Sequence, residues 1–129
     1  MTYLRIVLLL IAISQLALGV LTLFAPEFFL ASMGLATPPS DSFYLIGMLA
    51  ARFLAFGVVL IVLARRPQVD ALWLQAMLAI QLVDLGVGLF YTANGVLPLA
   101  VSGFPMFNAI LFSGLLLIAL RRRQPPIMA

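Results

Sequence analysis

Residues 43–64 read FYLIGMLAARFLAFGVVLIVLA, an apolar run that contains a single charged side chain, Arg52. A helix of about 20 apolar residues is long enough to cross the hydrocarbon core of a bilayer. Helices are the expected structure there, because in lipid every backbone polar group must be hydrogen-bonded within its own segment. This stretch therefore predicts a transmembrane helix with an arginine near its centre.

The composition of the whole chain agrees with a membrane protein. Its 129 residues are 65% hydrophobic and 9% charged, and the mean hydropathy of +1.24 is far above that of soluble domains. The chain contains neither histidine nor cysteine, the residues that supply most zinc and copper ligands, axial haem ligands and thiolate nucleophiles. We therefore expect no metal site, no cofactor and no catalytic residues.

Four apolar runs have the length of a membrane span. The first is too long for the apolar core of a signal peptide and lacks a small-residue cleavage site, so we expect it to be retained. The predicted fold class is all-α, a four-transmembrane-helix bundle with up-down topology that forms one integral membrane domain over residues 1–129. The predicted spans are about 5–25, 43–64, 70–92 and 99–120.

All the basic residues other than the arginine inside the second span fall on one side of this up-down path. They are Arg5, Arg65, Arg66, Arg121, Arg122 and Arg123. The other side carries Glu27 and Asp41, so the positive-inside rule predicts that both termini are cytoplasmic. The cluster at residues 121–123 is expected to contact anionic lipid headgroups, and nothing in it requires a nucleic acid.

The connecting segments contain turn and helix-end signals. In APEFFLASMGL, residues 25–35, Pro26 suits a first helical position, and the phenylalanines and leucines suit a short interfacial helix on the outer surface. Ser40 or Asp41 is expected at the N-cap of the second span, and Asp41 and Asp70 are each expected to cap a helix or to interact with its dipole. Asn94 and Gly95 predict a turn between the last two spans.

Arg52 needs a partner inside the membrane. A charge at the bilayer centre costs on the order of 2.5 to 3.5 kcal/mol. Counting about 1.5 Å per residue from the inner boundary puts Arg52 at a height of roughly 20 Å and Asp84 at roughly 21 Å. The short loop between the second and third spans makes them antiparallel neighbours, so we expect an ion pair between these two side chains.

The same count places one amide side chain from each of the first, third and fourth spans in this layer, at heights of about 15 to 20 Å. These amides are Gln15, Gln81 and Asn108. In the third span, helical spacing adds Tyr91 to the face that carries Gln81 and Asp84. We expect a small outward-facing cavity above the polar layer.

Small residues predict where the helices pack closely. In the first span, Gln15 shares a stripe with Ala12, Gly19 and Thr22, and the second span has a stripe at four-residue spacing. The second stripe consists of Gly47, Ala51 and Ala55. QLALGVLTLF at 15–24 also resembles QLVDLGVGLF at 81–90 with one shift, which would fit a duplicated hairpin.

LALGVLTLFAPEFFLASMGL followed by GMLAARFLAFGVVLIVLARRP resembles the first half of the small four-helix bacterial membrane proteins of the DoxX-like and BphX-like kind. The shared features are Gly19, the Pro26 segment and the arginine in the second span. The resemblance implies this architecture and a bacterial inner membrane, and it identifies no functional residue.

Two functions remain open. In the first, the chain is a non-enzymatic membrane protein that binds or passes a small molecule at Arg52 and Asp84. In the second, it is an accessory or assembly subunit of a larger membrane complex, and the polar layer only fixes helix register. Association of the chain with its own copies is a separate open question. An enzyme is the weakest interpretation, because no nucleophile and base are paired.

Overall fold

The computed structural model of the chain describes residues 2–123, and these residues form five helices and no strand. Four of the helices are long and apolar enough to cross a membrane, which confirms the prediction of four spans and indicates an integral membrane protein. The predicted and observed limits differ by only a few residues. The helices are α1 (Thr2–Phe24), α2 (Pro26–Ser32), α3 (Ser42–Arg65), α4 (Ala71–Ala93) and α5 (Leu99–Arg121).

The two predicted aspartate caps have different outcomes. The Asp70 carboxylate accepts a hydrogen bond from the backbone N–H of Leu72 at 2.8 Å, so the cap of α4 is confirmed. Asp41, one of the two predicted candidates, is at the N-cap position of α3, but its side chain makes no capping hydrogen bond. Its backbone is already helical, with φ −67° and ψ −26°, whereas a capping residue adopts an extended conformation that turns its side chain back to the helix.

Gly34 and Gly95 end α2 and α4 in the same way. Their φ angles are 77° and 73°, in the left-handed region. In each case the glycine N–H donates to a carbonyl three residues earlier, and the next N–H donates to a carbonyl five residues earlier. This is the Schellman arrangement, which satisfies the last carbonyls of a helix. It confirms the predicted turn at Asn94 and Gly95.

The chain forms two compact units, one that extends to Pro67 and one that begins at Gln68. In the first unit α1 packs against α3, and the short α2 contacts α1. In the second unit α4 packs against α5. Each unit is therefore built on one pair of long helices. A single domain with up-down topology and cytoplasmic termini stays a prediction.

Glycines allow the close approach of α1 and α3. The stripe of Ala12, Gln15, Gly19 and Thr22 is buried, as its spacing predicts. A Cβ on Gly19 would lie 2.7 Å from Cγ of Leu54 and 3.1 Å from the Leu54 backbone nitrogen. On the other helix, a Cβ on Gly57 would lie 2.6 Å from Cγ of Leu16. Since each helix has a glycine where the other inserts a leucine, the two backbones come close together.

The predicted small-residue stripe of α3 does not make this contact. Ala51 and Ala55 are exposed, and a Cβ on Gly47 would meet no atom within 4 Å. The contact is made by a different face, which carries Ala50 and Gly57. The spacing of small residues recurs on both faces of α3, so spacing alone does not select the face that packs.

In the second unit, the buried face of α4 includes Leu74, Met77 and Gln81. A Cβ on Gly88 would lie 2.6 Å from Cγ of Met106 in α5. Because methionine is flexible, this contact can adjust more easily than one with backbone. Near the start of α4, the buried Val69 accepts a hydrogen bond through its carbonyl from Nη1 of Arg123. This bond connects the end of α5 to the segment before α4.

Replacing Gly19 with alanine should destabilise the first unit. The added Cβ would press on the backbone as well as on the side chain of Leu54, and overpacking of this kind costs about 1 to 3 kcal/mol. The free energy of unfolding would be measured for the full chain in mixed detergent micelles by circular dichroism. Gly47→Ala is the matched control, because it enters open space and should raise stability by up to about 1 kcal/mol through helix propensity. Equal effects of the two substitutions would contradict the packing described here.

Candidate functional site

Arg52 lies in the middle of α3, about 15 Å from the first residue of the helix and about 20 Å from the last. Its side chain is exposed, and Nη1 donates to the carbonyl of Met48, one turn earlier, at 3.0 Å. Within residues 2–67 this is its only hydrogen bond or ion pair. The helical carbonyl is already part of the backbone ladder. The contact therefore orients the guanidinium along its own helix without neutralising its charge.

A guanidinium carries several N–H donors in a planar fork and keeps its proton in proteins. The bond to Met48 uses one of them. Most of the donors of Arg52 are therefore unused in the first unit. A carboxylate, a phosphate or a polar small molecule would satisfy them in a bidentate arrangement.

Asp84 lies in the central part of α4 and is exposed. Within residues 68–123 its carboxylate makes no hydrogen bond or ion pair. An ionised carboxylate only accepts hydrogen bonds, so it needs a donor from elsewhere. The predicted ion pair between Arg52 and Asp84 joins the two units and stays a prediction.

Three other polar side chains are nearly buried and have unused hydrogen-bonding groups. Gln15 in α1 is 7% exposed and Gln81 in α4 is 4% exposed, and neither amide makes a side-chain hydrogen bond within its own unit. The Ser113 hydroxyl of α5 is buried and has no partner among the described residues. Within residues 2–123, the Ser113 oxygen is the one fully buried side-chain polar atom without a partner, and such burial costs about 1 to 3 kcal/mol. These positions are therefore candidates for contact with a further polar group.

The remaining predicted site residues are in the second unit. Asn108 is half-buried on α5. Tyr91 is 44% exposed, and its ring packs edge-on against its chain neighbour Phe90 at a centroid distance of 5.3 Å. The tyrosine is thus in the last turn of α4, near the end of the span, and Asn108 is near the middle of its helix.

The sequence patterns did not predict the hydroxyl pair that connects α4 and α5. Oγ1 of Thr92 and Oγ of Ser102 are 2.6 Å apart. Each hydroxyl also donates to a carbonyl one turn earlier in its own helix, Thr92 to Gly88 at 2.7 Å and Ser102 to Pro98 at 3.3 Å, so either hydroxyl can be the donor within the pair. The turn at Asn94 and Gly95 predicts that the end of α4 and the start of α5 are adjacent, but it does not fix the rotation of the helices that brings the two hydroxyls together.

The basic cluster at the end of α5 is partly engaged in the fold. Arg123 donates to the carbonyl of Val69, whereas the Arg121 side chain is exposed. Contact of this cluster with anionic lipid headgroups stays a prediction.

Comparison of the chain with protein-family models, with curated proteins and with solved structures gives no match. The chemistry of the candidate site therefore has to be inferred from its own residues.

The hydroxyl pair should contribute measurably to the packing of α4 against α5. Thr92→Val and Ser102→Ala should each lower the free energy of unfolding, with a coupling free energy of about 0.6 kcal/mol in a double-mutant cycle. Ser113→Ala is the matched control, because its hydroxyl has no partner in the described residues and should show no coupling to Thr92→Val. A coupling indistinguishable from that control would refute the pair.

Proposed function

We propose that this chain is a non-enzymatic integral membrane protein that binds or passes a small polar or anionic molecule at Arg52, with Asp84 in the same polar layer. The observation that carries the proposal is the position of Arg52. The guanidinium lies in the middle of an apolar helix, and within residues 2–67 it has only the carbonyl of Met48 as a partner. A charge within a membrane span is a candidate functional group by default, because keeping it there is costly.

The nearly buried polar groups support a ligand rather than a lone ion pair. An ion pair alone would satisfy Arg52 and Asp84 and would leave the two glutamines and Ser113 without partners. A bound molecule with several polar atoms can accept from the guanidinium and also exchange hydrogen bonds with amides. The proposed polar layer consists of Arg52, Asp84, Gln15, Gln81 and Asn108, with Tyr91 toward the outer end.

Asp84 is the group to which we assign any proton-linked step. Arginine keeps its proton in proteins, whereas a carboxylate can gain and lose one. Asp84 would therefore adjust the net charge of the layer while Arg52 holds a constant positive charge. We assign no catalytic residue and no cofactor, since the chain has neither histidine nor cysteine.

We also propose that the protein lies in a bacterial inner membrane with both termini in the cytoplasm. The distribution of arginines supports this orientation, and the resemblance to DoxX-like and BphX-like proteins supports the bacterial membrane. In this orientation α2 lies on the outer surface. The exposed Arg121 supports contact with anionic lipid headgroups on the inner surface.

Replacing Arg52 with glutamine should remove the ligand. The wild-type chain, purified in mild detergent and released for native mass spectrometry, should carry a bound small molecule, and Arg52→Gln should lose it because the amide has no charge. Arg65→Gln is the matched control, because Arg65 lies at the end of the same helix, and it should retain the molecule. Equal retention by both variants would rule out a ligand at Arg52.

A charge reversal separates a working site from a structural pair. If Arg52 and Asp84 pair, each single neutralisation should cost about 3 kcal/mol of unfolding free energy, because it leaves a lone charge. Arg52→Asp combined with Asp84→Arg should restore stability. Under the proposal the reversed pair should still fail to retain the ligand, since the guanidinium has changed helix. A reversed pair that folds and binds as the wild type does would favour the structural role.

The alternative is an accessory or assembly subunit of a larger membrane complex. The exposure of Arg52 on α3 and of Asp84 on α4 supports it, because a partner polypeptide can also supply the missing counter-charges. Under this alternative, the tagged chain purified from its own membrane should bring down one larger complex in constant ratio. Arg52→Gln should then weaken that association while the isolated chain remains folded. Purification of the chain without a constant partner would exclude it.

A further inference from the structure

The first unit contains a cavity at the junction of α1 and α2. It is an open depression with a volume of about 420 Å³. The chain bends at Ala25 between the two helices, which leaves space beside the beginning of α3. The cavity is lined by Phe24, Ala25, Pro26, Glu27, Phe28 and Phe43.

The lining combines aromatic rings with a single negative charge. Three of the six lining residues are phenylalanines, Glu27 is the only charged one, and no basic residue is among them. Within residues 2–67 the Glu27 carboxylate makes no hydrogen bond or ion pair, so its charge is available to a ligand. Aromatic faces attract cations through the ring quadrupole, and the carboxylate supplies a full opposite charge. Both features favour a positively charged occupant.

Phenyl rings supply no hydrogen-bond acceptor, so they cannot replace the water shell of a small, strongly hydrated ion such as sodium. A quaternary ammonium group needs no hydrogen bonds, and aromatic rings are its usual binding surface. The phenylalanines of the lining therefore favour a large, weakly hydrated cation.

The position of the cavity indicates what else the ligand carries. Phe24 is the last residue of a helix long and apolar enough to cross a membrane. Phe24 and Phe28 are 77% and 66% exposed, so the cavity is open to its surroundings. A ligand with a cationic head and an apolar body would match a site at the end of an apolar span.

We propose that this cavity binds a lipophilic quaternary ammonium cation, with the charged head between the Glu27 carboxylate and the phenyl rings. The site is formed by the first unit alone. It does not involve Arg52 or Asp84, so it is independent of the function proposed above.

The test uses benzyltrimethylammonium as the probe and the full chain in neutral maltoside micelles, with binding measured by isothermal titration calorimetry. The wild type should bind the probe at one site. Glu27→Gln should raise Kd about fivefold, as expected for loss of an exposed charge pair. Phe28→Leu should raise it about threefold through loss of a cation–ring contact.

Two variants and one anion provide the controls. Asp41→Asn removes an exposed acid that does not line the cavity, and Phe104→Leu changes a phenylalanine of the second unit that is also 77% exposed. Both should bind like the wild type. Benzenesulfonate, an anion of similar size, should not bind. If Glu27→Gln fails to fold, the test is the difference between the binding of the cation and the binding of benzenesulfonate to the wild-type chain.

The source of the cation is distinguished by competition. If short-chain phosphatidylcholine displaces the probe and short-chain phosphatidylglycerol does not, the occupant is a choline lipid headgroup. Failure of both lipids to displace a bound probe identifies a free organic cation. The proposal is overturned if Glu27→Gln binds as tightly as the wild type, or if benzenesulfonate binds as well as the cation.

Discussion

The guanidinium of Arg52 is the constraint that governs this molecule, because it is a permanent charge in the middle of a helix that is otherwise suited to lipid. Hydrogen bonding to the carbonyl of Met48 orients the side chain but does not neutralise it. In an apolar medium, a charge without a counter-charge costs on the order of 2.5 to 3.5 kcal/mol, at least as much as a single packing contact contributes. The rest of the structure therefore has to keep Arg52 accessible to a partner.

Packing of the first unit achieves this through helix geometry. The contact of α3 with α1 is centred on Ala50, Leu54 and Gly57, which recur on one face. Arg52 follows Ala50 by two residues, a rotation of about 200° around the helix axis. The arginine is therefore directed away from α1 by the same register that inserts Leu54 against Gly19. Its partner has to come from outside the α1–α3 pair, whether that partner is a side chain, a ligand or another polypeptide.

The sequence predicts those structural features that depend on the conformation of one residue or on the length of an apolar run. The four spans follow from apolar length, the start of α2 from the fixed φ of Pro26, and the turn after α4 from the positive φ of Gly95. It does not predict which face of α3 packs, because small residues recur at helical spacing on two faces. Asp41 fails as a cap because its own backbone is helical, a property of the preceding turn rather than of the residue. The candidate ion pair rests on matched heights, and height alone does not fix rotation about a helix axis.

The first unit has opposite charges in two different settings, and the settings imply different ligands. Arg52 is about 15 Å along α3 from Ser42, deep in a span, where a charge requires nearly complete neutralisation and hydrogen bonding. Glu27 is exposed in the first turn of α2 beside exposed phenylalanines. A deep guanidinium selects an anion or polar group by directional hydrogen bonds. An exposed carboxylate among aromatic rings favours a cation by charge and apolar contact, and a weakly hydrated cation benefits most because it gives up the least water on entry.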